Sequence, residues 1–286
     1  MLYNTTLVSI IETLCRTKLN DWKEGVATSG STSTIVDTVG RDEPDDYFQS
    51  TSPVSYARIL TTTDNLAPKG EERKASDFVN STYTLSVTPN YTVTPGAGDT
   101  YAIYHIKRWA DMVSYINSAI DMVRADVLVP KIDETSIILQ DDVYEYPLPP
   151  DFTHLYRVTQ QDADGNFYDN PVTPEHYSIV RAAPIPLLHF YKGCWFDSAH
   201  ENGREIRLEG FGLQGKLVND QDICYINPEW VVNQVAALIH ASLSRRADNE
   251  PDDHATQYKM CQTIANGIRS SKGFSTLIPP DIKRIK

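Results

Sequence analysis

The sequence lacks the features of a membrane protein and of a disulfide-stabilised one. No run of about 18 apolar residues occurs, which is the length that a membrane-spanning helix needs. Only four residues are cysteine, and none belongs to a Cys-x-x-Cys pair. The N-terminal segment has neither the basic stretch nor the small-residue cleavage site of a secretory signal. We therefore expect reduced cysteines, a cytosolic setting and no membrane partner.

Basic residues are scarce as well. The chain of 286 residues has 26 Lys and Arg against 38 Asp and Glu, which gives a formal net charge of −12 at pH 7. Proteins that grip nucleic acid do so with Lys and Arg that neutralise phosphates, so this balance argues against nucleic-acid binding as the main function. Hydrophobic residues make up 41% of the sequence, which excludes a wholly disordered protein.

The familiar motifs of catalysis are missing. No G-x-S-x-G nucleophile turn, H-E-x-x-H zinc motif or G-x-x-x-x-G-K-[ST] phosphate loop occurs. The seven histidines include no pair four residues apart, and none lies beside a cysteine with the spacing of a metal site. We therefore predict that the protein is not an enzyme, that it has no catalytic residue, and that it holds no metal and no cofactor.

Two segments imitate ligand-binding motifs. Gly210-Phe-Gly-Leu-Gln-Gly215 matches the glycine pattern of dinucleotide sites, but Lys216–Asp220 after it does not have the amphipathic helical pattern that such a site needs. Asp162-Ala-Asp-Gly-Asn166 resembles the start of a calcium loop, yet Phe167 and Thr173 stand where that loop has Gly and Glu. We interpret the first segment as a connection in a β-hairpin and the second as a hairpin turn.

Apolar residues recur at helical spacing in four segments. The third has a well-defined start, because Asn227 can cap a helix and Pro228 suits its first turn. Pro130 would end the second helix and Gly273 the fourth. The predicted helices cover residues 5–19, 109–129, 228–247 and 253–272. The side chains that we expect in their common core are Leu14, Ile116, Ile120, Val235 and Ile239.

The segments between these helices have the composition of strands and turns. Residues 26–106 and 132–226 are rich in Thr, Ser, Val and Tyr and are broken by Gly and Pro. We therefore predict an α+β fold, built as a helical bundle of about four helices with two inserted β-rich modules. In this prediction the helical core comprises residues 1–25, 107–131 and 227–273, and residues 274–286 form an extended C-terminal arm.

The C-terminal arm carries apolar residues that it is too short to bury within itself. Pro279-Pro280 prevents a helix through its middle, and its end is basic. Apolar groups on such an arm need a partner surface, either on another chain or on the arm's own subunit. The predicted partner-binding residues are Phe274, Leu277, Ile278, Ile282, Lys283, Arg284 and Ile285.

Several short segments together resemble a known group of virion proteins. Three belong to the first β-rich module and two lie further along the chain, and the likeness covers most of residues 1–250. The segments are Ser31-Thr-Ser-Thr-Ile-Val-Asp37, Asp45-Asp-Tyr-Phe48, Pro95-Gly-Ala-Gly-Asp-Thr-Tyr101, Tyr144-Glu-Tyr-Pro-Leu-Pro149 and Asn227-Pro-Glu-Trp-Val-Val232. The sequence resembles the head-to-tail connector, or adaptor, proteins in the neck of tailed bacteriophages.

This resemblance implies a structural role in the virion. Such proteins assemble in the host cytoplasm as a homo-oligomeric ring, commonly of twelve copies, beneath the portal protein. The ring joins the DNA-filled head to the tail or to a second neck protein, and double-stranded DNA passes through its lumen without specific binding. The resemblance also implies a C-terminal arm that engages the portal or a neighbouring copy, and it assigns no catalytic residue.

Other roles remain open at this point. The two β-rich modules make the chain larger than a minimal adaptor, which leaves room for a collar, tail-completion or fibre-attachment component. A receptor-binding virion module would use Tyr-rich loops as its recognition surface. A hydrolase with an unrecognised site ranks lowest. The location of the chain in the particle distinguishes a connector from a receptor-binding module, because a connector lies on the head–tail axis and a receptor-binding module belongs to a peripheral appendage.

Overall fold

The chain forms two compact units, each with its own core. The computed structural model describes residues 3–48, 54–167, 171–181, 185–191, 202–245, 251–272 and 283–284. The first unit comprises residues 3–120 and 216–272, and the second comprises residues 121–215 with the C-terminal segment after residue 272. The first unit therefore contains the first β-rich segment together with most of the helical residues.

The prediction of a helical bundle with two inserted β-rich modules is wrong. The described residues contain only four α-helices, α1 (Leu7–Leu14), α2 (Trp109–Val123), α3 (Pro228–Leu243) and α4 (Pro251–Lys272). Most elements are short antiparallel strands, and seven of them form one sheet. The physical reason is that these strands bury apolar cores of their own, so the fold is α+β and rich in sheet.

The seven-stranded sheet dominates the first unit. Its spatial order is β2-β8-β5-β6-β7-β4-β3. The strands at its two edges, β2 and β3, follow one another along the chain. Between them, the backbone N–H of Ala27 donates to the Asp99 carbonyl and the backbone N–H of Thr28 donates to the Val36 carbonyl. Twelve apolar side chains, among them Phe48, Phe78 and Tyr101, form the core of this sheet. The strands are β2 (Lys23–Val26), β3 (Ser29–Ser31), β4 (Thr34–Val36), β5 (Tyr56–Thr61), β6 (Glu72–Val79), β7 (Thr84–Thr88) and β8 (Thr100–Tyr104).

Helices complete the first unit. Strand β1 (Thr5–Thr6) pairs with β15 (Ile223–Cys224), and α1 continues into a π-helix, Cys15–Leu19. Asn227 caps α3 through its Oδ1, which accepts hydrogen bonds from the next two backbone N–H groups at 2.9 and 3.3 Å, so the predicted start of this helix is confirmed. The five side chains expected in the helical core are all buried. No helix in the described ranges is both long and apolar enough to cross a membrane.

The predicted second helix is too long. Helix α2 ends at Val123, and the chain then forms an edge strand, β9 (Leu128–Ile138), that contains Pro130. Proline is tolerated there because an edge strand leaves part of its backbone N–H groups without a partner strand.

The second unit consists of two small antiparallel sheets. The orders are β16-β11-β14-β9 and β10-β13-β12. Both contribute to one core that includes Phe152, Leu188 and Leu208. Besides β9, the strands are β10 (Glu145–Pro147), β11 (Phe152–Gln160), β12 (Tyr177–Val180), β13 (Leu187–Phe190), β14 (Glu205–Leu213) and β16 (Lys283–Arg284).

Candidate interaction site

The buried charges of the first unit are used to hold the fold. Asp37 accepts hydrogen bonds from the backbone of Gly40 at 2.8 Å and from the Tyr101 hydroxyl at 2.9 Å. Arg41 donates to the same hydroxyl at 2.8 Å, and burial raises the pKa of Tyr101. Side chains added at Gly25 or Gly40 would overlap the Asp37 carboxylate. The network is therefore closed by packing and offers no open position to a substrate.

The two segments that imitate ligand motifs have structural roles. Gly210 and Gly212 lie within β14, where a methyl group would overlap the carbonyl oxygens of His154 on β11 and of Asp151 directly before β11. The interpretation of this motif as a hairpin connection is wrong, because these glycines permit close contact between two strands.

The calcium-like segment is a turn, as predicted. Asp162 Oδ1 accepts hydrogen bonds from the backbone of Asp164 and Asn166, and Gly165 has a φ of 85°. Within the described residues, no group of three or more His, Cys, Asp or Glu side chains is placed to hold a metal ion.

The C-terminal arm is described at two positions only. Lys283 and Arg284 form β16, which pairs antiparallel with β11 so that Leu155 lies opposite Lys283 and His154 opposite Arg284. The other predicted partner-binding residues lie outside the described residues, so the role of the arm stays a prediction. These residues are Phe274, Leu277, Ile278, Ile282 and Ile285.

An open pocket in the first unit was not identified from the sequence. Arg58 on β5 is 8% exposed, and its Nη2 donates to both carboxylate oxygens of Asp220 at 2.9 and 2.7 Å. Its guanidinium lies over the ring of Trp109, the first residue of α2, at 4.0 Å from the ring centroid. We call this site the Arg58 pocket and define it by Arg58, Leu66, Lys69, Trp109, Val218 and Asp220.

The rim of the Arg58 pocket carries two exposed apolar side chains among polar neighbours such as Asn65 and Asn219. The pocket has a volume of about 560 Å³, and two of its side chains, Leu66 and Val218, are 68% and 71% exposed. Isolated exposed apolar residues are common on protein surfaces. Here two such side chains lie at one rim, beside an arginine that is stacked on a tryptophan.

Hydrogen bonds within the loops hold both apolar side chains in place. Leu66 N–H donates to Asp64 Oδ1 at 3.0 Å, and its carbonyl accepts from the Thr62 hydroxyl at 2.8 Å. Val218 N–H donates to Asp222 Oδ2 at 2.6 Å. Backbone hydrogen bonds from Val218 and Asn219 also lower the pKa of Asp222.

A partly buried glutamate positions Trp109. Glu72 on β6 accepts a hydrogen bond from the Trp109 backbone N–H at 2.7 Å and another from the Tyr104 hydroxyl at 2.8 Å. A carboxylate at a helix N-terminus satisfies a free N–H group and interacts favourably with the helix dipole. Glu72 therefore links the sheet to the start of α2 and fixes the base of the Arg58 pocket.

Comparison with known proteins adds no assignment. No protein-family model matches the sequence, and no curated protein matches it.

Proposed function

We propose that this chain is a structural virion protein of a tailed bacteriophage, a head-to-tail connector that forms a ring beneath the portal and joins head to tail. The resemblance of the sequence segments to connector proteins supports this role, whereas the helical-bundle core expected with it is not part of the fold. Its partners are neighbouring copies, commonly twelve in the resembled family, the portal protein, and a tail or second neck protein. The proposed location is the virion neck, after assembly in the host cytoplasm.

The observation that supports this proposal most is the exposed apolar rim of the Arg58 pocket. Burying a side chain such as Leu66 or Val218 against a second protein contributes roughly 1.5–3 kcal/mol. Arg58 and Trp109 at the base of the pocket are buried within the chain itself, so the two rim side chains carry the proposed contact. Each subunit of a ring needs a surface of this kind, because every copy contacts two neighbours.

The acidic composition is consistent with the same role. DNA must move through a neck without adhering to it, and a net charge of −12 repels phosphates over the range of the Debye length. A basic wall would bind the DNA with strong salt dependence and slow its passage.

A double substitution at the rim tests assembly. We expect the purified chain to sediment as a closed oligomer and the Leu66→Asp/Val218→Asp variant to sediment as a monomer with an unchanged circular dichroism spectrum. Val93→Asp is the matched control, because Val93 is also an exposed valine of the first unit, 48% accessible, but does not line the pocket. A wild-type monomer at all concentrations, or an oligomeric double variant, contradicts the proposed use of this pocket.

Location in the particle tests the connector role itself. A tag on the chain, imaged by electron microscopy of whole virions, should mark the head–tail axis between portal and tail. A label on a peripheral appendage would replace the connector proposal with a fibre-attachment or receptor-binding component.

A further inference from the structure

Of the large apolar side chains that the structure describes, the side chain of Val39 is the most exposed. Val39 is 89% accessible and lies in the turn 38–40, which follows β4 in the first unit. An aliphatic side chain held almost entirely in water adds nothing to the core of its own subunit. It also does not occupy the Arg58 pocket of its own chain, because a side chain in a pocket would be shielded from water.

Buried groups fix the turn that carries Val39. The Asp37 carboxylate is 2% exposed, and its Oδ1 accepts hydrogen bonds from the backbone N–H groups of Val39 at 3.2 Å and Gly40 at 2.8 Å. Its Oδ2 accepts from the Tyr101 hydroxyl at 2.9 Å, and Arg41 donates to that hydroxyl at 2.8 Å. A loop held in one conformation before binding loses little conformational entropy on binding. The turn therefore presents Val39 in a pre-organised position.

The segment that follows Val39 along the chain is acidic at its surface. Within residues 38–48, the exposed charged side chains are all acidic, namely Asp42, Asp45 and Asp46. Arg41 in the same segment is buried, and Lys23 is engaged in an ion pair of 3.0 Å with Glu43. A partner surface that suits this segment is therefore apolar where it meets Val39 and positively charged beside that point.

The Arg58 pocket has both properties. Its two exposed rim side chains are apolar, and its volume of about 560 Å³ leaves room for an aliphatic side chain. Its charged lining residues are Arg58, Lys69 and Asp220, so the lining has one positive charge in excess. Arg58 is paired with Asp220, whereas Lys69 donates to the neutral side-chain amide of Asn65. The excess positive charge is therefore that of Lys69.

We propose that the turn carrying Val39 docks into the Arg58 pocket of a second copy of this chain. Val39 packs between Leu66 and Val218, and the acidic residues that follow it lie beside Lys69. The turn and the pocket are different surfaces of the first unit, so the contact is heterologous and can be repeated from copy to copy until a ring closes. The inference rests on the connector proposal and identifies the contact between neighbouring copies.

A disulfide between neighbouring copies tests this contact directly. Val39→Cys is combined with Leu66→Cys or with Val218→Cys, and the purified full chain is treated with oxidised glutathione. A disulfide needs Cα atoms within about 7 Å of each other, and a ladder of linked copies on a non-reducing gel requires thiols from different copies. We expect this ladder from at least one of the two variants.

Val93→Cys in place of Val39→Cys gives the matched control. Val93 is also an exposed valine of the first unit, it does not line the pocket, and the control contains the same natural cysteines. We expect no ladder from it. Ladders of equal strength with Val93→Cys and Val39→Cys, or no ladder from either, would overturn the docking of Val39.

The strength of association separates a failure of this inference from a failure of the connector proposal. Val39→Asp should raise the concentration at which the oligomer half-dissociates by about tenfold or more, because a buried valine is lost, and Val93→Asp should leave it unchanged. Sedimentation over a range of concentrations measures both. A wild-type oligomer that Val39→Asp does not weaken would refute the docking of this turn and leave the connector proposal standing. A wild-type monomer at all concentrations would contradict both.

Discussion

At the residue scale, a pair of histidines links the two helices of the helical hairpin. His240 on α3 and His254 on α4 approach each other with 3.0 Å between their Nδ1 atoms, so one ring must donate and the other accept. His240 is 5% exposed. Burial, and then the neighbouring His254, lower the pKa of His240, while the carbonyl of Lys18 and the carboxylate of Asp253 act in the opposite direction.

We expect the pair to destabilise the folded chain as the pH falls below about 6.5. There the unfolded state binds a proton at His240 that the folded state does not, so the free energy of unfolding decreases with falling pH until the folded-state pKa is passed. Urea unfolding between pH 7.5 and pH 5.5 measures this loss. His240→Gln should reduce it, whereas the control His176→Gln in the second unit should not. An unchanged pH dependence in His240→Gln would show that the pair does not carry the effect.

Residues near one another in sequence were the ones that could be predicted. Asn227, Pro228 and the turn at Asp162 act through neighbours up to four positions away, and the structure confirms their roles. The Arg58 pocket was not predictable in this way, because Arg58 and Asp220 are 162 positions apart.

At the element scale, the contact between β11 and β14 depends on two glycines. Gly210 and Gly212 face the backbone carbonyls of His154 on β11 and of Asp151 directly before it, whereas Gly215, the third glycine of the same motif, has open space where a side chain would begin. Gly215 can therefore serve as the control in a test of whether the other two glycines are needed for packing between the strands.

Alanine substitution should separate the two environments. We expect Gly212→Ala to destabilise the protein by about 1–3 kcal/mol or more, because the added methyl meets backbone that can move only with the strand. Gly215→Ala should change the free energy of unfolding by less than about 0.5 kcal/mol. Denaturant unfolding of both variants measures the difference. If the two variants had equal free energies of unfolding, β14 would be able to move away from β11 without a loss of stability.

The helices were easier to predict than the sheets for a physical reason. A helix shows its apolar stripe within its own sequence, as α3 does, so its position follows from spacing. The order β2-β8-β5-β6-β7-β4-β3 depends on pairings between segments that are far apart in sequence, and short strands carry little pattern of their own. The composition of the sequence therefore indicates strand-rich segments, but it does not show that these segments, and not the helices, dominate the fold.

At the scale of the whole molecule, the C-terminal arm is the part whose role most directly separates the possible assemblies. Helix α4 ends at Lys272, and beyond it only Lys283 and Arg284 are described, in a two-residue pairing with β11. A pairing that short contributes few hydrogen bonds to the folded chain. The same two residues would be available to a neighbouring surface at little cost to their own subunit.

Deletion of residues 274–286 should therefore leave the isolated chain folded and abolish the joining of heads to tails. The truncated chain should keep the circular dichroism spectrum and the melting temperature of the full chain, because the described residues of both cores lie within residues 3–272. Counts of joined particles, made with full-length and truncated protein, measure assembly. A truncated chain that unfolds would show that the arm is an intramolecular strap across β11. Normal joining with a folded truncated chain would show that the arm is dispensable, and contacts such as the Arg58 pocket would then have to hold the ring by themselves.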